Sequence, residues 1–261
     1  MKHLLPALVA LLIAAPNALG IDLFKKDKAA FDYTAWRDTA DIVRTADGMP
    51  LFYPSTANEE VTVSGEIEIP GQSAEKIFLG ALDYATEHLD TTEDHEQIGD
   101  YNPAEKSFML RLFSRQGSNN NETTYTRFML VKALNGKLQF KVMQPEVRYR
   151  EKGVIPRTLP FERLNPATNS RHFELIEQFA TINSQYLHKM AESIADSRAP
   201  SVTHWDEIIE KKVTKGMNTF EVRLILGKPV TERENGERLR WVYPKNYVLL
   251  FVDGKLSRIV D

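Results

Sequence analysis

Residues 124–150, TYTRFMLVKALNGKLQFKVMQPEVRYR, decide the fold. Two strand-like runs, Thr124 to Leu134 and Leu138 to Arg150, flank Asn135-Gly136. Asn-Gly between two such runs is the strongest short-range hairpin signal, because a tight turn needs residues that tolerate positive φ. Pro145 offers no N–H to a ladder, which predicts an edge position or a bulge there. Upstream, Gln97 to Tyr101 and Ser107 to Ser114 flank the turn Asn102-Pro103-Ala104-Glu105, and the polar run Gln116 to Glu122 reads as an exposed loop. Further back, Val61, Val63, Ile67 and Ile69 alternate with polar or small residues, as in a half-buried strand. Pro70-Gly71 stops that strand and Ser73 caps an amphipathic helix over 73–89. Downstream, Pro156, Pro160 and Pro166 mark a linker-like excursion over 151–169. A long helix over about 170–195 then follows, with Phe173, Ile176, Phe179, Ala180, Leu187, Met190, Ala191 and Ile194 as its apolar stripe. The order is β-α-β-β-β-β-α, and so long a helix needs an antiparallel sheet to lie on.

After Ala199-Pro200-Ser201 the pattern changes. Residues 202–213 suggest a short helix carrying Trp205, Ile208 and Ile209. Asn218 and Glu221 have the spacing of a capping box, and Gly227 and Pro229 end the helix that it opens. Three strands follow, over 238–243, 247–252 and 256–260, joined by Pro244-Lys245-Asn246 and Asp253-Gly254. The expected fold class is therefore α+β in two modules, β-α-β4-α over 57–198 and α-α-β-β-β over 199–261.

The N-terminus carries a different message. Lys2 and His3 precede the apolar run Leu4 to Ala15, and Ala18-Leu19-Gly20 supplies small residues. That layout is a cleavable signal peptide over 1–20, with an apolar run too short to span a bilayer. Residues 21–56 read as a lead-in with a short helix near Tyr33 to Val43. The chain has no cysteine, hence no disulfide and no lipid-bearing residue. The expectation is a soluble protein of the periplasm or exterior, without a lipid anchor or an integral membrane segment. A net charge of −3 supplies no overall basic field for nucleic acid.

The tail run Gly216-Met217-Asn218, followed by a helix closing in Leu226-Gly227-Lys228-Pro229, then Trp241-Val242-Tyr243 and Phe251-Val252-Asp253-Gly254, resembles the SmpA/OmlA (BamE-like) family. The resemblance covers about 202–261 and implies a small non-enzymatic domain. Asn218 stands where that family usually has Thr or Ser, and the lipid-bearing cysteine is missing. The central block, with Asp47-Gly48, the strand Val61 to Ile69 and Pro70-Gly71-Gln72-Ser73 opening a helix, resembles an exported family of unknown function described as having a TBP-like fold. That implies fold and export, and no chemistry.

Residues that could carry chemistry are few. Glu87, His88, Asp90, Glu93, Asp94, His95 and Glu96 crowd one stretch, and His88, Asp90, Asp94 and His95 are its candidate metal ligands. Their spacing fits no calcium or zinc loop, so a solvated acidic helix end is expected. No nucleophile elbow and no phosphate-binding glycine loop is present, and His172, His188 and His204 are scattered. Arg148, Tyr149, Arg150 and Lys152 form a basic-aromatic strand end, read as cross-strand charge pairing. Trp241, Tyr243, Tyr247 and Phe251 have two readings: core packing, or an exposed protein-contact patch. The sequence thus points to a non-enzymatic envelope protein, without cofactor, that binds an envelope or outer-membrane protein. The competing reading is an envelope hydrolase or carbohydrate-binding protein whose site is assembled from dispersed acids.

Overall fold

The computed structural model describes residues 51–57, 60–89, 97–117, 122–150, 155–196 and 200–260. The larger sheet contains β1 (Ser55–Ala57), β2 (Glu60–Glu68), β3 (Gln97–Asn102), β4 (Ser107–Gln116), β5 (Thr123–Leu134), β6 (Lys137–Tyr149) and β7 (Arg157–Pro160). Its spatial order is β1-β2-β6-β5-β4-β3, with β7 pairing β6, and every pairing is antiparallel. The Asn135-Gly136 turn closes the central hairpin, with Leu134 opposite Lys137. Gly136 takes a φ of +77°, which a residue without Cβ adopts at no steric cost. The bulge predicted at Pro145 is present. Thr126 faces Glu146 while Phe128 faces Met143, so two residues, Gln144 and Pro145, stand opposite the single Arg127. The bulge also separates the stretch of β6 that pairs β2 from the stretch that pairs β7.

Two helices, α1 (Ala74–His88) and α2 (Ser170–Asp196), share a core with one face of this sheet. The Ser73 hydroxyl caps α1 by accepting from the Lys76 N–H at 3.2 Å. Phe108, Leu110, Met129, Val131, Leu138 and Val142 meet Ile77, Phe78 and Leu82 of α1 and Ile176, Phe179 and Leu187 of α2. Each such side chain, fully buried, contributes about 1.5–3 kcal/mol. Gly80 lets the helices approach: a Cβ there would sit 3.0 Å from Ile194 Cγ1.

Several expectations change. Residues 51–57 are not lead-in: Leu51 and Tyr53 are buried in the core, and the Phe52 N–H donates to Ser184 Oγ at 3.0 Å. Signal peptide 1–20 and the helix near 33–43 lie outside the described residues. The segment read as a linker supplies β7 and a 3-10 turn, Phe161–Arg163, with Phe161 and Leu164 fully buried. Glu162 there accepts the Val61 N–H at 3.0 Å. Phe173 is exposed and Leu175 takes the buried position instead.

The tail contains α3 (Trp205–Ile209), α4 (Thr219–Leu226), β8 (Thr231–Asn235), β9 (Arg238–Val242), β10 (Val248–Val252) and β11 (Lys255–Val260). It has four strands, not three, in an antiparallel meander ordered β11-β10-β9-β8. Met217, Val222, Trp241, Tyr243, Leu249, Phe251 and Leu256 form its core. The two short helices face the other way as well, with Ile208, Phe220 and Leu224 packed into the larger core. Tyr101 of β3 donates its hydroxyl to the Leu224 carbonyl at 2.7 Å, and Trp205 stacks on Phe78 at 5.6 Å. Arg223 of α4 pairs with Glu87 at the end of α1. No helix among the described residues is long and apolar enough to cross a membrane.

Candidate functional site

The tail aromatics do not form a surface patch. Trp241 is 0% exposed, and Tyr243 and Phe251 are buried beside it. Trp241 meets Phe251 edge-to-face at 4.8 Å and carries the Arg223 guanidinium 5.1 Å above its ring. These rings point inward because alternate residues of β9 and β10 must cover α4. Tyr247 is half-buried against the same core.

The metal reading finds no support among the described residues, which hold no group of three or more suitable ligands. His88 is exposed, stacked on Tyr84 at 4.0 Å, with Nδ1 2.8 Å from the Tyr84 carbonyl. Asp90, Asp94 and His95 lie outside the described residues.

The histidines are held in place rather than scattered on the surface. His172 Nε2 lies 3.1 Å from the Tyr149 hydroxyl, and His188 stacks on Phe52 at 5.7 Å. His204 belongs to the most saturated polar cluster of the tail. Glu221 is 0% exposed and accepts from the N–H groups of Thr203 (2.6 Å), His204 (3.1 Å) and Asn218 (2.7 Å) and from the Thr203 hydroxyl (3.0 Å). His204 Nδ1 lies 3.0 Å from both Glu221 and the Thr203 hydroxyl. A catalytic triad needs its nucleophile and its carboxylate on opposite ring nitrogens. Here both meet Nδ1, and the carboxylate holds the hydroxyl directly. The cluster is the predicted capping box, extended to fasten α4 to the strand of chain before α3.

Burial pushes the Glu221 carboxyl up, but the hydrogen bonds from Thr203, Asn218 and His204 more than reverse this and lower its pKa. A lowered folded-state value contributes stability that is present above the unfolded value, about 4.3, and is lost as pH falls through the folded one. Glu221→Gln should therefore cost about 2 kcal/mol at neutral pH, since its amide cannot satisfy the same donors. The cost should shrink below about pH 4. Denaturant unfolding of both proteins across pH 3–7 checks this.

A cleft of about 300 Å³ lies between edge strand β3 and α3, lined by Tyr101, Met109, Phe128, Ile208 and Ile209 together with the charged Asp100 and Lys211. Asp83, whose carboxyl burial raises despite the opposing charge of Arg223, is not among its walls.

The outer face of the second sheet is the most unusual surface. Its register follows from the pairings Arg233↔Arg240, Leu250↔Arg240 and Leu250↔Arg258 in one row, and Arg238↔Val252↔Lys255 in the next. A third row is Thr231, Val242, Val248 and Val260. Five cations, Arg233 of β8, Arg238 and Arg240 of β9, and Lys255 and Arg258 of β11, thus point outward from three of the four strands, and no outward strand position holds a carboxylate. All five are exposed, and none has a side-chain hydrogen bond or ion pair among the described residues. Val230, Val252 and Val260 lie in or beside this face at 62%, 39% and 37% exposure. Arg233 directly opposite Arg240 is destabilising for the sheet, as like charges across an antiparallel pair are.

On the outer face of the larger sheet, Lys132 pairs with Glu105 at 2.7 Å and Lys137 with Glu66 at 2.6 Å, while Lys141 stands exposed between Ser64 and Leu130. In its basic-aromatic strand end, Tyr149 is buried and Arg148 points outward, while Lys152 lies outside the described residues.

The sequence reading missed this basic face. Arg238 and Arg240 are in phase at period two, but Arg233 and Arg258 join them only through strand register.

No protein-family model matches the chain, and no curated protein matches it. Among solved structures, the chain is similar to a TBP-like protein from Parabacteroides distasonis, with 10% identity over 55% of this chain and 97% of that one and a TM-score of 0.48. It is also similar to a DUF4468 family protein from Bacteroides ovatus, with 14% identity over 57% of this chain and 94% of that one and a TM-score of 0.42.

Proposed function

We propose that this chain is an exported, non-enzymatic protein-binding module of the cell envelope, and that it engages its partner through the outer face of the second sheet. The observation that carries this reading is the row Arg233, Arg240, Arg258: three exposed arginines with no ion pair among the described residues, two of them directly opposed across strands. A purely structural surface has no use for that repulsion, whereas a partner's carboxylates relieve it. The reading is also supported by the N-terminal signal pattern and by the SmpA/OmlA-like run from Gly216 to Pro229, which brings a non-enzymatic precedent. The partner is an envelope or outer-membrane protein.

Arg240→Glu separates binding from folding. It replaces a like-charge pair with an opposite-charge pair against Arg233, so stability should rise by a few tenths of a kcal/mol. Partner binding should fall at least about tenfold, as expected for reversing a charge at a contact. The check is cross-linked capture from intact envelope with tagged wild type and the variant, alongside their melting curves. A protein captured equally by both would remove this face from the function. A turnover activity of the purified protein, lost on one polar substitution, would replace the binding role with an enzymatic one.

A further inference from the structure

The partner's chemistry follows from what stands between the cations. Resting on the reading above, we infer that the outer face of the second sheet recognises a carboxylate-rich, aliphatic protein segment, and neither a nucleic acid nor an anionic membrane. Arginine and lysine are almost equally frequent in the chain, 16 against 17. The face carries four arginines and one lysine. Arginine is enriched at protein interfaces and lysine depleted, because the planar guanidinium engages carboxylates in paired hydrogen bonds and gives up its water more readily.

The remaining outward side chains narrow the class. Val242, Val248, Leu250, Val252 and Val260 alternate with the cations, and no aromatic points outward from these strands. Single-stranded nucleic acid is held by aromatic platforms on which bases stack. A duplex backbone would cover the aliphatic rows with phosphate and leave their burial unrewarded. A membrane surface is gripped by cations together with Trp or Tyr at headgroup depth, and the short valines of this face reach no such depth. A protein segment satisfies both parts of the pattern. Along β9, Arg238 and Arg240 are about 7 Å apart, the spacing of alternate residues in an extended chain. Carboxylates at alternate positions of such a segment meet the arginine rows, and aliphatic side chains beside them meet Val242, Val248 and Val252.

The test is fluorescence anisotropy of the full chain with three probes: a peptide alternating glutamate with leucine and valine, DNA of matched charge in single-stranded and duplex form, and vesicles of phosphatidylcholine with phosphatidylglycerol. The inference predicts that the peptide binds most tightly, and that Arg240→Glu weakens it about tenfold or more. It also predicts that the peptide competes with the captured envelope protein. Tighter binding of DNA or vesicles than of the peptide overturns it, as does a peptide that fails to bind. If envelope capture depends on Arg240 while the peptide does not compete, the binding surface stands and the partner class falls. If capture also ignores Arg240→Glu, both fall.

Discussion

Trp241→Ala should unfold the second sheet, costing about 3–5 kcal/mol and lowering the melting midpoint by about 10 °C. Trp241 is the largest side chain in a small core whose other buried members are Met217, Val222, Tyr243, Leu249, Phe251 and Leu256. Removing it leaves a cavity that four short strands and an eight-residue helix cannot close without losing register. Arg223 adds to the cost: its guanidinium lies over the indole and pairs with Glu87, so truncation loosens the tie between α4 and α1. Trp241→Phe should cost far less, because it keeps an aromatic ring in the core and the buried indole N–H makes no hydrogen bond among the described residues. Near-ultraviolet circular dichroism and calorimetry on both variants check the ordering. One consequence is practical. Trp241 is unsuitable as a probe of binding, since its loss would abolish any contact by unfolding the surface that makes it.

Asn183→Leu should cost about 3 kcal/mol despite introducing an apolar residue at a fully buried position. Asn183 sits in the stripe of α2 between Phe179 and Leu187, and its amide oxygen accepts from Arg127 Nε at 2.6 Å. Arg127 is 2% exposed, with Nη1 donating to Ser114 Oγ at 2.9 Å and its guanidinium lying 5.9 Å from the Phe179 ring. Leucine would remove the acceptor of Arg127 Nε, and a lost hydrogen bond to a buried charged group costs more than the added methyls return. Arg127→Met in the Asn183→Leu background should recover part of the loss, because a matched apolar pair needs no partner. Chemical denaturation of the two single variants and the double variant measures the coupling. Strict additivity would show that the two side chains do not share their energy.

The parts legible in the sequence are those that local chemistry specifies. Asn135-Gly136 fixed the central hairpin, Ser73 fixed the start of α1, and Asn218 with Glu221 fixed α4. Where a segment lacks periodicity, tertiary pairing decides. Thr231–Asn235 reads TEREN, with no apolar alternation, and becomes edge strand β8 because β9 offers a free ladder. Residues 51–57 and 157–164 read as connectors, yet the core recruits Leu51, Tyr53, Phe161 and Leu164 from them. Arg127 did carry a signal. It occupies an inward position between Tyr125 and Met129, and a cation in that phase must be buried with partners. The candidate surface was the least legible element. Its five cations come from β8, β9 and β11 with β10 between them, and the lack of facing carboxylates among the described residues is visible only once the register of β8 to β11 is known.

The most direct test places a photoreactive phenylalanine analogue at Val252, on the outer face of the second sheet, and separately at Phe128, on the outer face of the larger one. The two positions are almost equally exposed, at 39% and 36%, so access to reagent does not bias the comparison. Irradiation of intact cells should yield a cross-linked envelope protein from position 252, and the yield should fall when Arg240→Glu is added. Cross-links from position 128 alone would contradict the account and move the contact to the larger sheet.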